Sequence, residues 1–575
     1  MQYIVPEPGR SPAPPVAQYW PLMTSSRQRW AAGALCLLLA IVHTWPLATA
    51  PRTLSRTDNG DALLNAWILA WVAHQLPRAP ARLFDGNIFH PARDTLAFSE
   101  PLIVPALIGA PVRWLGGSPV LVFNLTLILG FALTAWAGFV VVRQWTGRMA
   151  AGLLAGSMFA FNTHTLTRLA HIQGIHAWGL PLALLAADRL LVSARVRDAL
   201  WLALWMAAMA YTSGYLAVFG AVLVAVALGA RLPWWWRRAP LVLSRVALAA
   251  SAAGLAVVPL YLPYRRVALE QGMVRSLDDV AAFSAPLEGY LASAGRLHYA
   301  LWSEPLFRRP LDAFFPGLIV VALAMAAVAW TVARRQDQPD PTKADLTRQR
   351  IVMLVAIAAA GLVLSLGTQT PLYGWVFELF PPIRGLRAAA RFGNLFLLGM
   401  SALAGFGLAM LLSRMPARRA AVVAAVTIAL ANAESLRAPF AYARFDGIPN
   451  IYSLVARLPG PVVLVEIPFY PPGAAFANAA YVLNSTAHFW PLLNGYSGYI
   501  PDSYSTLARD FASFPDQPAL DAMRRAGVTH VMVHPSRLDR HTPSHAQLLA
   551  RVAASPRLER LAVGREGITL YRLHP

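Results

Sequence analysis

The sequence predicts a mainly α, polytopic membrane protein that carries a small α/β domain at its C-terminal end. Of its 575 residues, 57% are hydrophobic and only 13% are charged, and the mean hydropathy is +0.48. A soluble chain of this length carries about twice that fraction of charge. The net charge of +21 comes almost wholly from arginines clustered between apolar runs, with Lys343 the only lysine. This pattern indicates membrane topology and not nucleic-acid binding.

Apolar stretches predict about eleven transmembrane helices, with the N-terminus in the cytoplasm and the C-terminus outside. The predicted spans are 30–50, 118–142, 149–165, 175–193, 198–212, 215–230, 240–262, 311–332, 351–367, 392–412 and 418–436. With this assignment every strong arginine cluster falls in the cytoplasm, as the positive-inside rule requires. The sequence therefore divides into a disordered cytoplasmic tail (1–29), a transmembrane domain (30–436) and an extracytoplasmic α/β domain (437–575).

The C-terminal segment differs in composition from the rest of the chain. Strand-like runs at 462–467 and 528–534 are separated by Pro, Gly and Asn turns, which predicts a small α/β domain. Aromatic and hydroxyl residues at 485–490 and 494–499 suit sugar recognition, and core packing explains the same residues. The single cysteine, Cys36, excludes a disulfide within one chain.

Two carboxylates stand in the first outer loop, directly before an apolar helical pattern. Asp58 and Asp61 precede a stripe formed by apolar residues of 62–71. One interpretation is a helix start, with Asp58 as N-cap and Asp61 as its capping-box partner. The other is a pair of functional acids at the membrane surface, with Glu100 as a third. Segment 102–115 is short and interrupted by prolines, so we expect it to lie in the interface together with the rest of the loop, 51–117.

Further polar residues gather in the other outer loops. Arg168, His171 and Gln173 form a compact set suited to hydroxyl or phosphate binding, although loop residues of this kind are usually only solvated. A second set follows the predicted span 351–367 and consists of Tyr373, Arg384, Arg387 and Arg391. Arg387 and Arg391 stand four residues apart, one turn of a helix, which suits bidentate binding of a phosphate; lipid headgroups are the alternative partner.

Several reaction classes lack their motifs in this chain. The sequence contains no Gly-Lys-Ser/Thr phosphate loop, no His-Glu-x-x-His and no Gly-x-Ser-x-Gly segment. Nucleotide hydrolysis and serine esterase chemistry are therefore unsupported. A transporter would bury its polar groups near the bilayer midplane, whereas these groups gather at the outer surface.

The order of these features resembles the GT-C superfamily of membrane glycosyltransferases. The resemblance rests on an outward anchor helix, the acid that begins the helix Asp61–Trp71, the Ser-Glu-Pro at 99–101, the segment 143–148 and the Arg-Gly-Leu-Arg at 384–387. The resemblance is specific over about residues 30–200, whereas the later spans and the tail match in layout. Protein O-mannosyltransferases and the aminoarabinose transferase of lipid A are the characterised enzymes of this type that the chain resembles.

This resemblance implies transfer of a sugar from a polyprenyl-phosphate donor to an acceptor on the outer side, a cell-envelope glycan, lipid or protein. It implies that Asp61 is the general base and that the arginines stabilise the departing phosphate. Relatives often have a second acid directly after this position, where this chain has Ala62, so Asp58 or Glu100 would take that role. No cofactor is implied, and a divalent metal is possible but unassigned.

Two other functions compete with this one. A lipid-linked glycan transporter or flippase would handle the same lipid, and a non-catalytic protein of envelope polysaccharide assembly would use the outer acids as helix caps only. For all three we expect a bacterial inner-membrane location with the periplasmic side carrying the polar loops and the C-terminal domain.

Overall fold

The computed structural model describes residues 26–272, 275–309, 312–333, 341–538 and 544–574, and most of the chain up to residue 435 is helical. Its helices are α1 (Ser26–His43), α2 (Gly60–Gln75), α3 (Ile103–Trp114), α4 (Pro119–Thr146), α5 (Met149–Ala160), α6 (Thr163–Leu166), α7 (Ile172–Ile175), α8 (Gly179–Ser193), α9 (Val196–Ala210), α10 (Gly214–Ala230), α11 (Leu232–Trp235), α12 (Ala239–Gln271), α13 (Leu277–Ala282), α14 (Arg296–His298), α15 (Leu318–Ala333), α16 (Pro341–Ser365), α17 (Pro371–Leu379), α18 (Gly393–Leu412) and α19 (Ala417–Ser435).

Each of the eleven predicted spans coincides with one of these helices. Within the described part of the chain, five helical segments are long and apolar enough to cross a membrane: Pro119–Thr146, Ile172–Ser193, Leu232–Gln271, Ala344–Ser365 and Ala389–Leu412. The protein is thus a multi-pass membrane protein, and the count of eleven spans stays a prediction. The predicted tail 1–29 ends too late, because α1 already begins at Ser26; residues 1–25 lie outside the described residues.

Close helix packing at the centre of the bundle depends on glycine. A Cβ on Gly156 of α5 would overlap the carbonyl oxygen of Ala135 on α4, and a Cβ on Gly138 would lie 2.8 Å from the Cα of Gly156. Small residues at helix interfaces let backbones approach and gain van der Waals contact inside a membrane, where lipid removes the hydrophobic driving force. The α4–α5 pair therefore forms a fixed base for the loop that follows α5.

The predicted interfacial segment 102–115 is helix α3. Its 12 residues span about 18 Å, which is shorter than the roughly 30 Å hydrocarbon core of a bilayer. The Nε1 of Trp114 donates to the carbonyl oxygen of Ala73 on α2 at 2.9 Å, while Leu115 is 89% exposed. A helix at this place is confirmed, and its location in the interface stays a prediction.

The C-terminal part of the chain forms a four-stranded mixed sheet flanked by short helices. The described strands are β1 (Leu54–Ser55), β2 (Ala443–Arg444), β3 (Leu464–Ile467), β4 (His530–Val533), β5 (Leu558–Val563) and β6 (Thr569–Leu573), of which β3 to β6 form this sheet and β1 pairs with β2. The helices are α20 (Ile451–Val455), α21 (Ala479–Asn484), α22 (Asp502–Asp510), α23 (Gln517–Arg525) and α24 (Ser544–Ala554). The sheet order is β3-β4-β6-β5; β3 and β4 are parallel, and the other two pairs are antiparallel. Both predicted runs, at 462–467 and 528–534, contain a strand.

The first outer loop and the C-terminal segment pack directly on each other. Strands β1 and β2 pair antiparallel, and the amide of Phe89 donates to the carbonyl of Asn494 at 3.2 Å. The side-chain amide of Asn87 donates to Ser485 Oγ at 3.1 Å. The backbone carbonyl of Asn87 accepts from the amide of Leu492 at 2.7 Å. Residues from two distant parts of the sequence can therefore meet around α2.

Candidate active site

Asp61 lies in the first turn of α2, and the helix is fixed by hydrogen bonds from its buried face. Trp67 Nε1 donates to Asn87 Oδ1 at 3.0 Å and Trp71 Nε1 donates to the carbonyl of Leu83 at 2.8 Å. Asn65 reaches the carbonyl of Ala170 at 2.8 Å and so ties α2 to the loop after α6. Asp61 is therefore presented from a rigid helix start.

The interpretation of Asp58 as the N-cap is wrong. Asn59 is the N-cap, and its side chain accepts a hydrogen bond from the amide of Asp61 at 2.9 Å. Asp58 instead forms a partly exposed ion pair with Arg56, at 3.0 Å from Nε to Oδ1. Asparagine caps as well as aspartate does, and it lies one residue nearer the helix. The Asp61 carboxylate is consequently free for other contacts.

Both oxygens of the Asp61 carboxylate have partners, and its side chain remains 39% exposed. The hydroxyl of Tyr496 donates to Oδ1 at 2.7 Å, and His171 Nε2 lies 3.3 Å from Oδ2. Tyr496 comes from the C-terminal segment and His171 from the loop between α6 and α7. The Tyr496 hydroxyl and the neighbouring imidazole together fix the orientation of this carboxylate.

His171 is a neutral partner of Asp61. Burial lowers the pKa of His171 well below its usual 6.5, and the nearby positive charges of Arg168 and Arg391 lower it further. A neutral imidazole that donates from Nε2 keeps Nδ1 as an acceptor. Among the residues that the structure describes, this buried Nδ1 has no partner. The ring thus offers one acceptor to a ligand while it steadies the aspartate.

Arg168 and Arg391 line the same cleft. Burial lowers the pKa of the Arg168 guanidinium well below its usual value, and the charge of Arg391 adds to that shift. Arg168 Nη1 and Arg391 Nε are buried, and neither has a hydrogen-bond partner within the described ranges. Two close cations with open donors form a site that an anion completes, and guanidinium groups match the geometry of phosphate.

The turn at Ser213–Tyr215 organises the other side of this cleft. The guanidinium of Arg391 stacks 4.3 Å above the Tyr215 ring, and the Tyr215 hydroxyl accepts from the amides of Arg387 and Ala388 at 3.2 and 3.0 Å. Glu100 Oε2 accepts from the amide of Gly214 at 2.8 Å. Burial raises the pKa of Glu100, and Arg391 acts in the opposite direction. Glu100 therefore faces the arginines and holds the turn that carries Tyr215.

The predicted helical spacing of Arg387 and Arg391 is wrong. Residues 381–385 and 389–392 form 3-10 turns, and α18 begins only at Gly393. Pro381 and Pro382 lack the amide protons that an α-helix needs. Arg387 instead stacks 5.0 Å from the Phe283 ring, and its charge helps to lower the pKa of His171. The two arginines still reach the same region, through an irregular segment.

Three other predicted residues differ in how close they come to this cleft. Gln173 lines it, 7% exposed, with an unpartnered Oε1 among the described residues. Tyr373 is fully buried and packs edge-on against Phe392 at 6.4 Å. Arg384 binds the carbonyls of Phe377 and Glu378 and the Glu378 carboxylate, so its guanidinium is already occupied. The structure thus brings Gln173 to the site and leaves Arg384 aside.

Sequence reasoning missed the two tyrosines that contact the charged residues. Tyr496 lies in the aromatic segment 494–499, for which packing and sugar recognition both remained open, and its contact with Asp61 spans 435 residues of sequence. Tyr215 follows the helix break at Gly214, which the sequence predicts to lie on the outer side. The only available signals were an aromatic residue beside glycine in each predicted outer segment. Within the described residues, no three His, Cys, Asp or Glu side chains are grouped as metal ligands.

Comparison with solved structures gives the fold to which this arrangement belongs. The arabinofuranosyltransferase AftD from Mycobacteria superposes with a TM-score of 0.59 over 96% of this chain, at 18% sequence identity. The fold is that of the GT-C membrane glycosyltransferases. The resemblance predicted from Asp61, Glu100 and the 384–387 segment is thereby confirmed at the level of fold. This chain spans only 40% of the length of AftD.

Two further GT-C structures are similar over most of this chain, at lower superposition scores. The archaeal oligosaccharyltransferase from Archaeoglobus fulgidus, tethered with an acceptor peptide, gives a TM-score of 0.46 at 11% identity, covering 96% of this chain and 74% of its own. ArnT from Cupriavidus metallidurans, bound to undecaprenyl phosphate, gives 0.39 at 13% identity, covering 96% and 98%. No protein-family model and no curated protein sequence matches the chain.

Proposed function

We propose that this protein is a glycosyltransferase that moves a sugar, a hexose or a pentose, from a polyprenyl-phosphate donor to an extracytoplasmic acceptor. The observation that carries the proposal is the juxtaposition of an oriented Asp61 with the open donors of Arg168 and Arg391, joined through His171. His171 lies between Asp61, which would take the proton from the acceptor, and the two arginines, which would bind the phosphate of the donor. The GT-C fold supports the same reaction class.

The proposed reaction needs only groups that this chain provides. Asp61 takes the proton from an acceptor hydroxyl while that oxygen forms a bond to the anomeric carbon of the sugar. The bond between this carbon and the phosphate oxygen breaks, and polyprenyl phosphate leaves with the electron pair. Arg168 and Arg391 stabilise the negative charge that develops on the leaving oxygen, and they are already positioned before the reaction begins.

Asp61 is a better base than His171, although the two touch. Burial, together with the neighbouring arginines, holds the pKa of His171 low and makes its imidazole a weak proton acceptor at neutral pH. We therefore assign His171 as a positioning residue that orients Asp61 and offers its Nδ1 to a sugar hydroxyl.

Of the two acids that compete for a supporting role, Glu100 fits better than Asp58. Glu100 accepts from the Gly214 amide beside Arg391, whereas Asp58 pairs with Arg56 on the far side of the Asn59 cap. Glu100 would set the position of Arg391 and limit the repulsion between the arginines. Its part is electrostatic, and it need not exchange a proton during transfer.

The remaining partners follow from the topology that the arginine distribution predicts. The site end of the bundle faces the periplasm of a bacterial inner membrane, where polyprenyl-phosphate sugars and the acceptor are both accessible. The C-terminal segment reaches the site through Tyr496, so it is also placed to contact an acceptor glycan, lipid or protein. Membrane lipids surround the exposed apolar helices.

A transfer assay in proteoliposomes tests this proposal. Purified protein is reconstituted with labelled polyprenyl-phosphate sugars, and an envelope extract is added as acceptor. We expect label to leave the lipid fraction and polyprenyl phosphate to accumulate. Label that crosses the bilayer while still attached to lipid would make the protein a transporter. Label that neither moves nor leaves its lipid with any donor would support the non-catalytic assembly role.

A further inference from the structure

A second cleft lies at the opposite end of the helix bundle. It holds about 660 Å³ of space, and its walls include Arg231, Arg238, Trp234 and Gln349. Helix α10 begins next to the Tyr215 cleft and ends at residue 230, 17 residues or about 25 Å away along the bundle. This second cleft, the far pocket, is thus separate from the candidate active site and opens on the face that the arginines predict to be cytoplasmic.

The acidic residues near the far pocket already have hydrogen-bond partners within the protein. Asp188 is fully buried and accepts from Arg231 at 2.5 Å, from Arg350 at 2.9 Å and from Trp145 Nε1 at 2.9 Å. One carboxylate therefore balances two guanidinium groups. Because charged groups are costly to bury without a partner, this cluster holds its geometry with or without a ligand.

Asp345, at the rim of the pocket, also accepts hydrogen bonds from neighbouring side chains. Its two oxygens accept from Trp234 Nε1 at 3.1 Å and from Gln349 Nε2 at 2.7 Å, and the Gln349 carbonyl oxygen accepts from Arg231. These contacts hold the indole of Trp234 and the amide of Gln349 against the pocket. Asp345 contributes one negative charge to the rim of the pocket.

The far pocket therefore keeps a positive charge. Counting Arg231, Arg238 and Arg350 against Asp188 and Asp345 leaves one unit of positive charge. Within the described residues the guanidinium of Arg238 donates to two backbone carbonyls, those of residues 191 and 192, at 2.8 and 3.0 Å. Arg231 is 2% exposed, and its Nε has no partner among the residues that the structure describes.

We propose that the far pocket binds a phosphate group, held by Arg231 and Arg238 and flanked by indole rings. Trp236, 65% exposed, stands beside the pocket in a run of three tryptophans, the residue type that collects at membrane–water interfaces. Basic pockets between membrane helices on the cytoplasmic side suit anionic lipid headgroups. The phosphate can come from a phospholipid of the inner leaflet or from a free phosphate in the cytoplasm, and the experiment distinguishes the two.

Native mass spectrometry of the full-length protein tests this site. Delipidated protein in an uncharged detergent is titrated with phosphatidylglycerol, and bound lipids are counted for the wild type and for Arg238→Gln. Loss of a charge-assisted contact should weaken the tightest lipid adduct roughly tenfold or more. Arg197→Gln is the matched control, because Arg197 lies at the same end of the bundle with its side chain 66% exposed. The control should bind as the wild type does.

A second variant keeps the test valid if Arg238→Gln does not fold. Leu346→Glu places a carboxylate in the pocket wall and leaves every arginine in place. It should lower lipid binding by a similar factor, with folding checked by the thermal unfolding midpoint. Inorganic phosphate is then added to the wild type as competitor. If millimolar phosphate displaces the lipid, a free phosphate is the natural ligand; if it does not, the ligand is the headgroup.

Three results would overturn the proposal. The first is an adduct pattern that is the same in wild type, Arg238→Gln and Leu346→Glu. The second is equal loss of binding in Arg238→Gln and Arg197→Gln, which would make the effect one of overall charge. The third is equal binding of phosphatidylglycerol and of a neutral diacylglycerol, which would show that the phosphate is not recognised. None of these readouts depends on sugar transfer.

Discussion

The two ends of the helix bundle differ in how their buried charged side chains are paired. At one end Asp188 lies between Arg231 and Arg350 and gives both guanidinium groups a carboxylate partner within the protein. At the other end Arg168 and Arg391 each have a buried donor without a partner among the described residues, and Glu100, the acid beside Arg391, accepts from a backbone amide. The first arrangement has its own countercharge, although one donor of Arg231 is left for a ligand. The second has buried donors without partners among the described residues, which the proposed donor phosphate would satisfy.

This difference separates structural charge from functional charge. Removing a partner from a closed cluster leaves an uncompensated buried ion and should reduce stability. Removing a member of an open cluster relieves repulsion and should reduce binding or catalysis instead. Substitutions at the two ends are therefore expected to give opposite outcomes in the same two measurements, thermal unfolding and sugar transfer.

The largest effect is expected for Asp61→Asn. Asparagine keeps the shape of the side chain, and Asn59 remains as the helix cap, so folding should be unchanged. Loss of a general base should lower the turnover rate by about a hundred- to ten-thousandfold. The rate is measured by transfer in proteoliposomes at saturating donor. A variant that folds and keeps its full rate would remove Asp61 from the chemistry.

At the closed end, Asp188→Asn should destabilise the protein by about 3–5 kcal/mol, because it leaves Arg231 and Arg350 buried without a countercharge. The readout is the thermal unfolding midpoint in detergent, together with transfer per folded molecule, which should stay near the wild-type value. Asp446→Asn is the control, since its pair with Arg444 is 80% exposed and should matter little. Equal midpoints for the two variants would contradict the closed-cluster interpretation.

Arg391→Gln and Arg384→Gln compare an open arginine with an occupied one. Arg391→Gln should remove a charge-assisted contact to the donor phosphate and so raise the donor KM by roughly ten- to a hundredfold. Arg384 is bound to Phe377 and Glu378, so its substitution should leave the donor KM unchanged. The two constants are measured with the same labelled donor. If Arg384→Gln is the more damaging substitution, the phosphate site has been placed wrongly.

Tyr496→Phe should have a smaller effect, because it removes one hydrogen bond to Asp61 and leaves the ring in place. We expect the turnover rate to fall about two- to tenfold with the unfolding midpoint nearly constant. Tyr499→Phe is the neighbouring control, since its hydroxyl donates to the carbonyl of Gln271 and not to the aspartate. Equal rates in the two variants would mean that the Tyr496 hydroxyl does not orient the base.

The smallest effect concerns pH. The pKa of His171 is held well below 6.5, so its ring stays neutral as the pH falls through 6.5, and the transfer rate should show no step there. In Arg391→Gln one of the charges that lowers this pKa is gone, so the pKa should rise and a step should move toward 6.5. Rate profiles of both proteins provide the check. A wild-type step centred at 6.5 would show an unshifted histidine.

Much of this molecule is legible in its sequence, for identifiable physical reasons. Apolar runs long enough for a membrane give the helix positions, and Asp61, His171 and Arg391 are found because charged residues at outer helix ends are few. The partner of Asp61 was not predictable, since Tyr496 is 435 residues away in sequence. Only the packing of the first loop on the C-terminal segment brings the two together.

Local errors also have local causes. Asp58 is a plausible N-cap by residue type, but Asn59 is the N-cap because it lies one residue closer to the start of the helix. The four-residue spacing of Arg387 and Arg391 predicts a helix. The segment that follows Pro381 and Pro382 instead forms 3-10 turns. Arg384 shares its segment with the other arginines, and its hydrogen bonds to the end of α17 turn it away.

Equilibrium binding of labelled polyprenyl phosphate, the product that the proposed reaction releases, tests the open-cluster account most directly. It is measured for wild type, Arg391→Gln and Asp61→Asn reconstituted in the same lipid. The account predicts weaker binding by Arg391→Gln, and equal or tighter binding by Asp61→Asn because a negative charge near the phosphate has been removed. Weaker binding by Asp61→Asn together with unchanged binding by Arg391→Gln would contradict it.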